Sequence, residues 1–100
     1  MEKINIEFQH FEGCPNGPLL LKNILDAISI LNIKIDFKEI LIENQEDAIK
    51  FKFRGSPTLL INNIDFENLK EPENPNLSCR FYPNGIPNTE LIISKISKLL

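Results

Sequence analysis

Two cysteines offer the most reactive side chains in this sequence. Cys14 lies in Phe-Glu-Gly-Cys-Pro-Asn-Gly-Pro, between an alternating apolar run and an amphipathic stretch, and Cys79 lies in Leu-Ser-Cys-Arg-Phe-Tyr near the other end of the chain. Backbone N–H groups at the start of a helix stabilise a thiolate relative to a thiol. Cys14 is therefore a candidate nucleophile, and Cys79 is a candidate second thiol.

Two cationic side chains lie close to these cysteines in the sequence. His10, the only histidine, precedes Cys14 by four residues and would favour the thiolate as a cation. A neutral histidine at a strand end is the alternative. Arg80 follows Cys79 directly and is a candidate to bind the carboxylate of a thiol substrate, with a solvated surface position as the alternative.

The elements around Cys14 follow from periodicity. Apolar and polar residues alternate over residues 3–9, which predicts a strand with one buried face. The stretch after Cys14 has helical spacing and predicts an amphipathic helix of about four turns. Pro18 fits only the first turn of a helix, so we expect Asn16 to be the N-cap. Cys14 should then lie just outside the helix and be activated only weakly by it.

A second strand and a short helix are predicted next. The strand covers residues 33–42, and its apolar phase slips near Glu39, as in a bulge or in a strand that is buried on both faces. Asn44 should cap a short helix that stops at Gly55. Two strands joined by a helix are expected to be parallel, with a right-handed crossover.

The second half of the chain predicts two strands, a loop and a last helix. Residues 58–61 form a strand, and Asn62 and Asn63 make a tight hairpin to a short partner strand, because asparagine tolerates positive φ. The proline-rich residues 67–87 form a long loop, which in a compact domain is functional or disordered. Asn88 or Thr89 caps the last helix.

These features resemble the thioredoxin-like superfamily over nearly the whole chain. The shared features are the order βαβαββα, a cysteine between the first strand and helix, and Ser-Pro-Thr at the third strand. The resemblance implies an α/β fold: a single thioredoxin-like domain over residues 1–100, with a mixed four-stranded sheet and helices on both faces. It also implies that Pro57 is cis and faces the cysteine, with Ser56, Pro57 and Thr58 binding an extended thiol substrate. An ordinary trans proline at a strand start is the alternative.

A narrower resemblance concerns three segments, Phe-Glu-Gly-Cys-Pro-Asn, Phe-Arg-Gly-Ser-Pro-Thr and Leu-Ser-Cys-Arg-Phe-Tyr. They are similar to short bacterial and archaeal thioredoxin-like proteins, and to the thioredoxin-like segment found with some alkylmercury lyases. We do not extend carbon–mercury cleavage to a chain of this length.

The chain departs from the redox pattern of that superfamily at Gly17. A redox-active thioredoxin has Cys-x-x-Cys, whereas this chain has Cys14-Pro-Asn-Gly17, so no local dithiol can form. The resemblance leaves two routes: Cys14 attacks a disulfide alone and glutathione resolves the product, or Cys79 resolves it. The 67–87 loop starts on the active-site side of the predicted sheet, and its apolar patch should anchor on the domain. Cys79 as a small buried residue or a spectator is the alternative.

The composition limits the partners. The net charge is −3 and the eleven basic residues are scattered, so we expect neither nucleic acid nor membrane as a partner. No apolar stretch of signal length is present at the start, and a cytoplasmic protein is expected. No phosphate loop, catalytic triad or His-rich metal spacing occurs, and no cofactor is predicted.

Three functions remain open at this point. The first is a thiol–disulfide protein, a candidate oxidoreductase acting on protein or small-molecule thiols such as glutathione. The second is binding of a soft metal or mercurial by the thiolates of Cys14 and Cys79, with no other metal site expected. The third is a redox-inactive adaptor that uses the edge at Pro57. The sequence predicts no oligomeric state.

Overall fold

The fold was obtained as a computed structural model that describes residues 3–100. The predicted domain also includes residues 1 and 2, which lie outside the described residues. The described elements, in chain order, are β1 (Ile4–His10), α1 (Asn16–Leu31), β2 (Ile35–Leu41), α2 (Gln45–Lys50), β3 (Thr58–Ile61), β4 (Ile64–Asp65) and α3 (Thr89–Ser97). The predicted order βαβαββα is confirmed.

The four strands form one mixed sheet in the order β2-β1-β3-β4. β1 pairs in parallel with β2, from Ile4 opposite Ile35 to His10 opposite Leu41. β3 is antiparallel to both β1 and β4. The carboxyl end of β1 and the amino end of β3 therefore lie at the same edge of the sheet, which brings the segment after β1 close to the segment before β3.

The main core lies between the sheet and the helices α1 and α3, which contact each other. Inward-facing residues alternate along β1 and β3, and the helices contribute residues three or four apart, as expected for one face of each element. Ten buried residues form this core: Ile4, Ile6, Phe8, Leu20, Ile24, Ala27, Leu59, Ile61, Ile92 and Ile96.

A smaller cluster holds α2 against the opposite face of the sheet. It contains Ile42, Ala48 and Phe53, with Ile40 packed against them. Ile35 and Phe37 pack instead against the main core. Side chains alternate between the two faces of a strand, so these two sets point in opposite directions.

This placement explains the slip in the apolar pattern of β2. β2 pairs with β1 residue for residue along its whole length, so there is no bulge near Glu39. The phase changes because the first half of the strand faces the main core and the second half faces α2.

Asparagine residues define several boundaries, as predicted. Asn62 and Asn63 both have positive φ, at 51° and 68°, in the turn between β3 and β4. The side chain of Asn44 accepts a hydrogen bond from the backbone of Asp47 at 2.8 Å and caps α2. Asn88 caps α3 in the same way, accepting from Leu91 at 2.8 Å.

The end of α2 differs from the prediction. The helix ends at Lys50 rather than continuing towards Gly55. Lys52, two residues after the last helical residue, has a φ of 52°, in the left-handed region, and turns the chain away from the helix.

Within residues 3–100, no helix combines the length and the apolar character that a membrane span requires.

Candidate functional site

Cys14 lies directly at the amino end of α1. The helix begins at Asn16, and Pro15, with φ −63° and ψ −23°, is the N-cap. The prediction that Asn16 is the N-cap is therefore wrong. Pro15 adopts helical angles itself, and the backbone N–H of Gly17 donates to the Cys14 carbonyl at 3.1 Å. The helix thus starts earlier than Pro18 alone suggested, and its first N–H groups reach the cysteine.

The Cys14 thiol is buried beside Ser56. The residue is only 5% exposed, and its Sγ donates to the Ser56 carbonyl at 3.3 Å. Burial raises the pKa of this thiol. The Ser56 side chain, the backbone of Asn16, the Cys79 thiol and the backbone of Gly17 oppose that effect and hold the pKa below its ordinary value. These groups therefore stabilise the thiolate form of Cys14 relative to that of an ordinary cysteine.

Ser56 is also the pairing partner of the segment that carries Cys79. The Ser56 N–H donates to the Ser78 carbonyl at 2.8 Å, and the Arg80 N–H donates to the Ser56 carbonyl at 2.8 Å. These two bonds form a parallel bridge between Ser56 and Cys79. The Ser56–Pro57 peptide bond is cis. The backbone groups of Ser56 that were expected to bind an extended substrate are thus bound by residues 78–80 of the same chain.

Cys14 and Cys79 both contact Ser56, Cys14 through its Sγ and Cys79 through the backbone bridge. Cys79 is exposed, and hydrogen bonding to Cys14 is the largest effect on its thiol, followed by burial and the Cys14 charge; together they raise the pKa of Cys79. The pKa of Cys14 is lowered and that of Cys79 is raised, as expected for two neighbouring thiols that titrate together. Two residues far apart in the sequence are therefore brought together at one site.

Gly55 allows the close approach of this segment. Its φ is +104°, and a Cβ added there would lie 2.9 Å from the Arg80 Cβ. An L side chain would meet both backbone strain and a steric clash at this position. Glycine is required here because the backbone of residues 78–80 passes directly over it.

The guanidinium of Arg80 binds an internal carboxylate. Its two terminal nitrogens donate to the Asp65 carboxylate at 2.6 and 2.7 Å, and its side chain is 3% exposed. Burial opposes ionisation of Asp65, but the hydrogen bonds and charge of Arg80 hold the pKa of that carboxyl below its usual range. The expected contact of Arg80 with a substrate carboxylate is replaced by this buried pair.

Tyr82 ties the same segment to the cis proline. Its hydroxyl donates to the Pro57 carbonyl at 2.5 Å, and the Arg80 guanidinium lies 4.5 Å from the centre of its ring. Burial raises the pKa of the Tyr82 hydroxyl, so it remains a donor. The Thr58 hydroxyl donates to the Gly55 carbonyl and is also used internally.

His10 has partners other than Cys14. Its Nε2 lies 2.9 Å from the Glu39 carboxylate, and its ring stacks on Phe8 with 4.7 Å between ring centres. The groups that shift the Cys14 pKa are on Ser56, Asn16, Cys79 and Gly17. The structure therefore places the predicted tuning histidine at the end of β1, in contact with β2.

No protein-family model matches the chain, and no curated protein matches it in sequence. Solved structures do match. One belongs to a study of thioredoxin-2, described as a component of the malaria parasite protein secretion machinery, with a TM-score of 0.64 at 12% identity over 96% of this chain and 82% of that chain. Another, described as a malarial protein, has a TM-score of 0.64 at 15% identity over 99% of both chains. The chain has a thioredoxin-like fold.

Two surface concavities flank the site of this thioredoxin-like domain. One, of about 430 Å³, is lined by Phe11, Glu12, Leu41, Ile42, Glu43 and Leu77. The other, of about 380 Å³, is lined by Asn16, Leu19, Arg80, Phe81, Tyr82, Gly85 and Ile86. Leu77, before Cys79 in the sequence, lines the first, and Arg80, Phe81 and Tyr82, after it, line the second. Among residues 3–100 no group of three or more His, Cys, Asp or Glu side chains is arranged to hold a metal ion.

Three residues that build the site were not singled out from the sequence: Gly55, Asp65 and Tyr82. The sequence indicated Gly55 only as the end of a helix, and Tyr82 only as part of an apolar patch in the 67–87 loop. Asp65 lies in the short strand β4 between two apolar residues, where a charged side chain gives no indication of a partner fifteen residues away.

Proposed function

We propose that this protein exchanges thiols and disulfides through a redox pair formed by Cys14 and Cys79. The observation that carries the proposal is the pairing of residues 78–80 with Ser56, whose carbonyl also accepts from the Cys14 thiol, so that both cysteines adjoin one residue. In this arrangement Cys79 takes the place of the second cysteine that Gly17 removes from the local motif.

The net chemistry is a two-electron exchange. The two thiols lose two protons and two electrons to form one Cys14–Cys79 disulfide, while a disulfide of the partner accepts them and becomes two thiols. The reverse reaction oxidises two partner thiols. The lowered pKa of Cys14 increases the fraction of the reduced pair that carries a thiolate, which is the form that reacts in disulfide exchange.

The proposed partners are protein or small-molecule thiols, including glutathione. No cofactor is required, since the electrons move between sulfur atoms. The protein would act in the cytoplasm, where thiols are kept reduced and a cysteine pair of this kind is catalytic rather than structural.

The test is transfer of oxidising equivalents to a model dithiol peptide. The chain is oxidised with oxidised glutathione, freed of it, and mixed with the reduced peptide, and peptide disulfide is followed by chromatography. We expect one peptide disulfide for each wild-type molecule with no glutathione released, because the oxidant is the internal disulfide, and no transfer with the double variant. A single variant can carry only a glutathione adduct, so each peptide disulfide that it forms releases one glutathione. Release of one glutathione for each peptide disulfide from the wild type would refute the paired mechanism and support Cys14 acting with glutathione alone.

The same two thiols support a second candidate, binding of a two-coordinate soft metal ion or an organomercurial. Thiolates are the preferred ligands of such metals, and two adjacent sulfurs provide a chelate. Stoichiometric binding of Hg²⁺ in the presence of a competing monothiol, lost in both single variants and without disulfide transfer, would select it. The adaptor hypothesis receives no support from the edge at Pro57, because residues 78–82 already occupy it.

A further inference from the structure

The two thiols of the proposed pair differ in access. Cys14 is 5% exposed, and its sulfur is enclosed between the start of α1, Ser56 and the Cys79 segment. Cys79 is exposed on that segment. A partner sulfur can reach Cys79 in the folded protein, whereas it reaches Cys14 only if residues 78–80 separate from Ser56.

We infer that Cys79 forms the mixed disulfide with the partner and that Cys14 is the internal resolving cysteine. The inference rests on the proposed function and adds the order in which the two sulfurs react. It reverses the order expected from the sequence, in which Cys14 attacks the partner and Cys79 resolves the product.

The steps balance in the oxidising direction as follows. A partner thiolate attacks Sγ of Cys79 in the Cys14–Cys79 disulfide, a partner–Cys79 bond forms, and the Cys14 sulfur leaves with the electron pair as a thiolate. A second partner thiolate then attacks the partner sulfur of the mixed disulfide. Cys79 leaves as a thiolate and takes a proton, and the partner disulfide is released. In the reducing direction Cys79 loses its proton and attacks the partner disulfide, and one partner sulfur leaves as a thiolate. The Cys14 thiolate then attacks Sγ of Cys79, forms the internal disulfide and expels the second partner sulfur as a thiolate.

The groups around Cys14 favour its sulfur both as a leaving group and as the thiolate that resolves a mixed disulfide. The backbone N–H groups at the start of α1 and the Ser56 side chain stabilise its negative charge. A thiol that is more acidic leaves faster from a disulfide, so attack at Cys79 expels the better leaving group. Attack at Cys14 would instead expel Cys79, which is exposed and, within residues 3–100, has no helix N–H groups to stabilise its thiolate.

The experiment identifies which sulfur carries the partner. The oxidised wild-type protein is mixed with reduced glutathione and quenched with acid at short times, free thiols are blocked with N-ethylmaleimide, and trypsin is applied. Cleavage after lysine and arginine separates Cys14, in residues 4–22, from Cys79, in residues 71–80. Mass spectrometry then counts glutathione on each peptide.

We expect glutathione on Cys79 in about tenfold excess or more, because access and leaving group act in the same direction. In oxidised protein unfolded in urea both sulfurs are accessible, and the preference should disappear. Equal or greater labelling of Cys14 in the folded protein would overturn the inference, as would a preference that persists after unfolding. Failure to form the Cys14–Cys79 disulfide at all would refute the proposed function itself.

Single-cysteine variants provide an independent comparison. Cys14→Ser leaves the exposed Cys79, and Cys79→Ser leaves the buried Cys14. With oxidised glutathione, folding should slow the reaction of Cys14 by about tenfold or more relative to the urea-unfolded variant, and should slow Cys79 much less. Equal slowing of the two would contradict the assignment.

Discussion

Ionisation of Cys14 depends on a balance between burial and local donors. A buried thiolate loses hydration, which opposes loss of the proton, but the Ser56 side chain, the helix N–H groups and the Cys79 thiol supply compensating interactions. Each of these donors is fixed by the backbone fold, apart from Cys79, which belongs to the loop segment. The pKa of Cys14 is thus linked to the position of Cys79.

This interaction predicts that two single-alanine variants shift the pKa of the remaining thiol in opposite directions. Cys79→Ala removes a hydrogen bond to the Cys14 thiolate, so the pKa of Cys14 should rise. Cys14→Ala removes the neighbour that raises the pKa of Cys79, so the pKa of Cys79 should fall towards the ordinary value of about 8.5. Thiolate absorbance near 240 nm as a function of pH measures both. If neither variant moves the remaining thiol relative to its titration in the wild type, the two thiols do not interact.

At the scale of elements, residues 78–82 act as a short extra strand held from three sides. Its backbone pairs with Ser56, the Arg80 side chain binds Asp65 at the end of β4, and the Tyr82 hydroxyl binds the Pro57 carbonyl. The 67–87 loop is therefore anchored at the site, although it contains no helix or longer strand.

Gly55→Ala should weaken the pairing of this strand. The added Cβ meets Arg80 at 2.9 Å, so residues 78–80 must move away from Ser56. Because a disulfide needs Cα atoms within about 7 Å, we expect formation of the Cys14–Cys79 disulfide by oxidised glutathione to slow about tenfold.

Gly85→Ala is the matched control. Gly85 also has positive φ, at +83°, but a Cβ added there has no described atom within 4 Å. It therefore introduces similar backbone strain without the clash. Equal rates of disulfide formation in the two alanine variants would show that close packing at Gly55 does not position Cys79.

Asp65→Asn should destabilise the fold. It leaves the buried Arg80 without its bidentate partner, and loss of one member of a buried ion pair costs about 3–5 kcal/mol. Urea denaturation of the reduced protein measures this change in the free energy of unfolding. Asp26→Asn is the control, because Asp26 pairs with Lys22 on the surface of α1 and should contribute at most about 1 kcal/mol. Similar effects of the two substitutions would mean that the Arg80 anchor contributes little.

At low pH the whole molecule should lose the part of its stability that the ion pair between Asp65 and Arg80 contributes. The pKa of Asp65 is lowered in the folded state, so its contribution is fully present above its unfolded pKa of about 3.9 and is lost as the pH falls through the lower folded value. The difference in free energy of unfolding between the wild type and Asp65→Asn should therefore narrow below about pH 4. Urea denaturation at a series of pH values measures it, and a constant difference would contradict the assigned pKa shift.

Local patterns accounted for most of the fold. Alternation in β1, helical spacing in α1, and the asparagines at 44, 62, 63 and 88 each depend on residues close in sequence, and they predicted the element order and most caps. The start of α1 was missed because Pro15 itself adopts helical angles, and the end of α2 because Lys52 turns the chain before Gly55.

The site was less accessible to prediction because its residues meet only in three dimensions. The candidate pair of Cys14 and Cys79 followed from topology, but the roles of Gly55, Asp65 and Tyr82 depend on how one loop packs. Conversely, His10 and Arg80 are close in sequence to the cysteines, yet His10 contacts Glu39 and Arg80 binds Asp65. Proximity along the chain was a poor guide to contact there.

The central claim is that Cys14 and Cys79 form one redox pair, and the most direct measurement is the state of the two thiols in glutathione redox buffers. Protein equilibrated with mixtures of reduced and oxidised glutathione is quenched with acid, and mass spectrometry distinguishes free thiols, glutathione adducts and the internal disulfide. We predict a cooperative, reversible transition from two free thiols to the Cys14–Cys79 disulfide, with little adduct, because the partner thiol is already in place. Stable glutathione adducts without an internal disulfide, or thiols that remain free in oxidised glutathione, would contradict it.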